Sequence, residues 1–229
     1  MCVNDILYHM LSIQKEIRSH STPEKARISQ SFFKTGIGQY GEGDIFLGLT
    51  VPLCRSISKK YDTLKREDVL LLLSSKYHEE RLVALMIMCA KYAKGDRYVV
   101  SDYLKNTKYV NNWDLVDTSA YKLINDEKIV FRLVKSKNMW EQRIAMVATY
   151  SWIKKGEIDI AYTVADMLLG HAHDLMHKAV GWMLREAGKK DMKRLEVYVE
   201  KNYKRMSRTT LRYAIERFPE GVRKRLLSL

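Results

Sequence analysis

Apolar residues recur along this chain at intervals of three and four, interrupted by short polar or glycine-containing stretches. In 174–190, DLMHKAVGWMLREAGKK, a helical turn of about 100° per residue gathers Met176, Val180, Met183, Leu184 and Ala187 into one stripe. In 111–124, NNWDLVDTSAYKLI, the stripe is Leu115, Val116, Ser119, Ala120, Leu123 and Ile124. In 139–156, MWEQRIAMVATYSWIKKG, it is Trp140, Ile144, Val147, Ala148 and Ser151, with Arg143 on its border. Shorter helices are expected over 96–105 and 157–169, and Pro23 and Pro52 mark two helix starts. The first nineteen residues read as an amphipathic helix rather than a secretory signal, because Asp5, His9 and Lys15 interrupt the apolar positions. No run of alternating β-branched residues bounded by turns would make a sheet, so the chain is expected to be all-α.

The helices carry a recurring theme. A basic residue or histidine precedes an alanine by two positions at Arg143 and Ala145, His177 and Ala179, and Arg212 and Ala214. Arg81 and Ala84 form a looser version, and Ala120 is a fifth anchor. Successive alanines lie 36, 25, 34 and 35 residues apart, near the period of two-helix repeats except at the second step. The expected architecture is antiparallel helix-pair repeats stacked in a curved α-solenoid, each pair burying its apolar face against the next. With three prolines, eleven glycines and no linker-like stretch, residues 1–229 are expected to form one domain.

Charge narrows the class of partner. Forty Lys and Arg against twenty-seven Asp and Glu leave +13, and Lys189–Leu229 alone holds thirteen basic and five acidic residues. Such asymmetry points to phosphates, hence nucleic acid, rather than to solubility alone. Cys2, Cys54 and Cys89 are odd in number and widely spaced, which argues against a disulfide framework or thiolate zinc site. A reducing, cytoplasmic setting follows, and no stretch approaches the ~18 apolar residues of a membrane span.

Two motifs read as decoys. GIGQYG (36–41) matches the dinucleotide-binding glycine pattern, but no strand precedes it and no helix opens directly after it, so 35–50 is read as an ordered glycine-rich connection. HDLMH (173–177) places two histidines one turn apart, but Asp174 is a methylene short of the usual zinc-helix glutamate. No metal or cofactor is expected.

The informative residues lie off the core stripes. Trp182 is opposite its stripe, among Lys178, Arg185 and Lys189, where it serves either inter-repeat packing or a ligand. Trp113, Asp117 and Tyr121 form a row on the flank of theirs. Asp117 sits mid-helix, where aspartate is locally unfavourable, and is explained by an ion pair to a neighbouring helix or by chemistry. Arg143 is placed to reach a carboxylate or a phosphate.

NNWDLVDTSA, MWEQRIAMVATY, HDLMHKAVGWMLREAGKKD and SRTTLRYAIERF closely resemble blocks of the AlkD-like DNA alkylation repair glycosylases, with YGEGDIFLGLTVPLCRSISKKY and HEERLVALMIMCAKY similar to the family's N-terminal half. The likeness runs from about Ser31 to Phe218. It implies a HEAT-like α-solenoid enzyme that grips double-stranded DNA and, without a cofactor, releases cationic alkylated purines such as 3-methyladenine and 7-methylguanine; a monomer is expected. On this resemblance Trp113 and Asp117 are the catalytic pair, Arg143 binds backbone and Trp182 is the second aromatic; Lys178 and Arg185, beside Trp182, are expected on or behind the phosphates. The family's N-terminal aromatic is Phe32, Phe33 or Tyr40. The rival reading is a non-catalytic helical-repeat scaffold for nucleic acid or an acidic protein.

Overall fold

A computed structural model describes residues 12–229, and almost every segment expected to be helical is helical. At the N-terminus 12–19 are helical, and the rest of the expected amphipathic helix falls outside the described residues. Fourteen further α-helices follow, and among the described residues the only β-type pairing is an isolated bridge between Ile45 and Tyr77. None of these helices is long and apolar enough to cross a membrane.

The chain divides into two compact units, one ending at Ser119 and the other spanning Ala120–Leu229. The first contains α1 (Pro23–Phe32), α2 (Val51–Lys60), α3 (Arg66–Leu73), α4 (His78–Ala93) and α5 (Tyr98–Lys105). The division falls within α6 (Trp113–Leu123) rather than in a linker. The second continues with α7 (Glu127–Leu133), α8 (Met139–Ala148), α9 (Tyr150–Lys155), α10 (Asp159–Leu168), α11 (Asp174–Gly188), α12 (Met192–Asn202), α13 (Arg208–Ala214) and α14 (Glu220–Leu227).

Helix ends follow local chemistry. Asp126, Asn138, Asp191 and Ser207 each accept a backbone N–H of the first turn that follows, at 2.8 to 3.1 Å. The apolar stretch 139–156 is two helices, because the chain turns at Thr149 and α9 ends on the left-handed Gly156, φ 91°.

In the first unit α4 packs on α2 and α3 and is buried from His78 to Cys89. Its opening residues are charged, so each must be paired. The Glu79 carboxylate accepts the backbone N–H groups of Leu47, Gly48 and Leu49 at 2.7 to 3.2 Å, and Glu80 accepts from Arg18, Gln14 and Ser75. These bonds order the glycine-rich connection that the pattern led one to expect, and Gly48, φ 84°, lies so close to α1 that a Cβ would meet the Ala26 nitrogen at 2.6 Å.

In the second unit α11 is the central element, touching α8, α9, α10, α12 and α13. The alanine anchors are all buried, and three of them, Ala145, Ala179 and Ala214, lie on α8, α11 and α13, which pack in that order. Small residues permit the closest approaches: a Cβ at Gly181 would sit 2.5 Å from Tyr213 Cβ and 2.7 Å from the Thr210 carbonyl oxygen, and Gly188 packs under Leu195.

Candidate active site

The first turn of α6 is fixed by its own side chains and by a buried charge cluster. Asn112 Oδ1 accepts the Trp113 N–H at 2.8 Å, and Asp114 Oδ1 accepts the Leu115 N–H at 2.8 Å. The other Asp114 oxygen takes His78 Nε2 at 2.7 Å, while His78 Nδ1 lies 3.1 Å from Asp44. Arg81 donates to the second Asp44 oxygen at 2.6 Å, and Asn111 and Asn112 donate to the same carboxylate.

Burial alone would keep the His78 imidazole neutral. The Asp114 charge and the hydrogen bonds to Asp114 and Asp44 outweigh it, raising the pKa to about 9. Burial likewise works against ionisation of Asp44, but the His78 hydrogen bond and the Arg81 charge bring it down to about 2. At neutral pH the cluster is therefore an imidazolium and a guanidinium between two carboxylates.

An aromatic column stands on this cluster. The Phe46 ring stacks on His78 with centroids 4.3 Å apart, Phe33 on Phe46 at 4.7 Å, and Trp113 on Phe33 at 5.0 Å with an interplanar angle of 12°. Phe32, largely exposed, meets Trp113 edge-on at 6.1 Å. The column thus begins at Trp113 and returns through His78 to its neighbour Asp114. Each aromatic pair contributes about 0.5–1.5 kcal/mol beyond its buried area, so one indole face is held firmly by protein. The rings of Phe32 and Phe33 both reach Trp113, while Tyr40 is half-buried with its hydroxyl 3.5 Å from the Phe32 carbonyl oxygen.

Asp117, one turn beyond Trp113, is half-buried on the helix flank, as its spacing requires. Its stripe is fully buried behind it: Leu115, Val116, Ala120, Leu123 and Ile124, with Ser119 bonded to the Tyr103 hydroxyl at 3.0 Å. The Tyr103 phenol is pushed up mainly by burial, and the charge of Asp117 adds to the effect.

The other predicted residues belong to the second unit. Trp182 is half-buried on α11, 6.3 Å from the Tyr150 ring, and Tyr150 meets Tyr121 edge-on at 5.4 Å. Lys178, on the same side of α11, pairs with Asp174 at 2.8 Å, and Arg185 pairs with Glu216 and Glu186. Arg143 is buried on α8 and donates to the Leu175 carbonyl in the first turn of α11. The structure thus groups Trp182, Lys178 and Arg185 on one helix with Arg143 tethered to its start, and places Trp113 with Asp117 on another.

The histidines of HDLMH act on the backbone. His173 caps α11 by accepting the Leu175 N–H, His171 accepts the His173 N–H, and His177 Nε2 donates to the His171 carbonyl. Sequence spacing missed Phe46, His78 and Asp44, which are contributed by separate segments. A usable signal was present in the run His78-Glu79-Glu80-Arg81, four polar residues opening an otherwise apolar helix, which must be matched by buried partners.

Residues 13–218 match the family model described as DNA alkylation repair enzyme. Among solved structures, a predicted DNA alkylation repair enzyme from Enterococcus faecalis is similar, with a TM-score of 0.73 and 17% identity over 87% of this chain and 97% of that chain. At that identity the likeness shows the fold, an all-α, solenoid-like arrangement. No curated protein sequence matches the chain.

Proposed function

Because this chain belongs to the DNA alkylation repair enzyme family, we propose that it is a monofunctional DNA N-glycosylase acting on cationic alkylated purines, 3-methyladenine and 7-methylguanine, in double-stranded DNA. The observation that carries this reading is Trp113 with Asp117 one turn away, on a helix whose first turn is fixed by a buried charge cluster. A group that stabilises developing charge is effective when it is already in place before reaction.

Alkylation at N3 or N7 puts a positive charge on the purine and weakens its bond to C1′. As that bond breaks, its electron pair neutralises the base, and positive charge moves to the deoxyribose. The Asp117 carboxylate stabilises the sugar cation and orients a water whose oxygen bonds to C1′ as its proton passes to bulk water, leaving a free neutral base and an abasic sugar. The indole of Trp113, backed by Phe33, offers a π face to the cation, and Trp182 of the second unit is an aromatic contact for the DNA. Arg143, Lys178 and Arg185 hold backbone phosphates, the last two by exchanging a protein carboxylate for a phosphate. The protein acts as a monomer of HEAT-like helix pairs in the cytoplasm, and the chemistry needs no metal or cofactor.

The test is to incubate the purified protein with N7-methylated duplex and separate free bases chromatographically. Release of 7-methylguanine is expected. Duplex binding with every base left on its strand would make the protein a helical-repeat scaffold instead.

A further inference from the structure

Beside Trp182 the second unit holds a cleft of about 250 Å³ between α9 and the end of α11, lined by Tyr150, Ile153, Lys154, Glu186, Lys189 and Lys190. Its charges are unequally matched. Glu186 is buried, and its carboxylate is taken by Lys189 at 2.7 Å and by Arg185 at 3.3 Å. Lys154 and Lys190 make no ion pair among the described residues. The Lys154 ammonium instead lies over two rings, 4.9 Å from Tyr121 and 5.6 Å from Tyr150. Tyr150 is in turn the neighbour of Trp182.

Cation–π contacts hold an ammonium in place without neutralising it, so Lys154 keeps its full charge toward the cleft. A compact anion with hydrogen-bond acceptors suits two such ammonium groups, and the Tyr150 phenol is a further donor at the same rim. Ile153 is buried beneath the cleft, so the groups that the cleft offers a ligand are the two ammonium groups and the phenol. Tyr150 joins the cleft to Trp182, so a phosphate carried on a DNA strand suits it better than an acidic side chain.

We propose that this cleft seats a phosphodiester of the DNA strand next to the nucleotide contacted by Trp182, with Lys154 and Lys190 as its cationic ligands and the Tyr150 phenol as a further donor. The inference rests on the DNA-glycosylase reading and adds a backbone subsite to it. Lys154 lies on α9 and Lys190 just beyond the end of α11, away from Lys178 in the first half of α11 and Arg143 on α8, so their contribution to binding is separable.

The experiment compares the full-length protein with K154Q/K190Q on duplexes in which single phosphates around a lesion analogue are replaced by uncharged methylphosphonates. Both lysines are exposed, and equal thermal midpoints check that the variant is folded. For the parent, one or two neighbouring substitutions should weaken binding about tenfold. For the variant, affinity for the unmodified duplex should fall about tenfold, the salt slope should shrink by about one to two, and the same methylphosphonates should have no further effect. Unchanged affinity in the variant, or full additivity of the protein and DNA changes, would overturn the seat. Inorganic phosphate displacing duplex from the parent alone at matched ionic strength would make it a free-anion site and also overturn it. A parent that neither binds nor cleaves alkylated duplex would fail the glycosylase reading itself, an outcome distinct from a parent that works and a variant that matches it.

Discussion

Asp114 and Asp117 stand three residues apart on one helix and occupy different chemical settings. Asp114 is spent on the Leu115 N–H and the His78 imidazolium, both within hydrogen-bond distance. Asp117 lies half-buried on the flank, one turn from an indole whose far face is stacked on Phe33. Asp117→Asn preserves size and removes charge, so single-turnover excision should fall on the order of 10²–10³-fold. Duplex affinity should hold or rise slightly, since a carboxylate near phosphates is repulsive before reaction. An Asn variant that excises at the parental rate would make Asp117 an ion-pair residue only. The flank positions of Trp113, Asp117 and Trp182 were legible in the sequence because helical periodicity fixes direction from spacing alone. What stacks on Trp113 was not, since Phe33, Phe46 and His78 come from α1, a loop and α4, and periodicity says nothing about which segments meet.

At the scale of elements, the hydrophobic stripes located the long helices, and the alanine spacing identified the helices that pack on one another in the second unit. The break at Thr149 was not legible, because apolar spacing runs straight through it; the left-handed Gly156 after it was the only local stop signal. The α11–α13 contact depends on Gly181, where a Cβ would collide with backbone and side chain of the partner helix. Gly181→Ala should therefore destabilise the protein by about 1–3 kcal/mol, seen as a lowered denaturant midpoint. An unchanged midpoint would show that the two helices separate freely. The link between α4 and α6 is electrostatic, through His78. Its pKa is raised from 6.5 to about 9, so its stabilisation is complete below about pH 6.5 and lost as pH rises through about 9. The thermal midpoints of the parent and His78→Gln should differ most near pH 6 and converge toward pH 9.5. A pH-independent gap would mean that the imidazole contributes by packing rather than by charge.

For the whole molecule, the net charge of +13 is less available than its sum implies. Within the basic C-terminal stretch Arg225 pairs with Glu196 and Glu200, Arg194 with Asp159, Lys189 with Glu186 and Lys224 with Glu220. The exposed pairs among these, Glu186 being buried, contribute about 0–1 kcal/mol each and exchange readily for phosphate. Duplex affinity should therefore fall steeply with salt, with a log–log slope of about −0.9 per phosphate neutralised. An affinity that ignores salt would remove DNA as the partner. The central claim is that the lesion's own positive charge makes the base leave while the protein stabilises the sugar. The most direct measurement compares single-turnover release of 7-methylguanine, uracil and hypoxanthine from otherwise identical duplexes, with and without chelator. The account predicts release of 7-methylguanine alone, unaffected by chelator. Uracil or hypoxanthine released at a comparable rate, or 7-methylguanine release abolished by chelator, would contradict it.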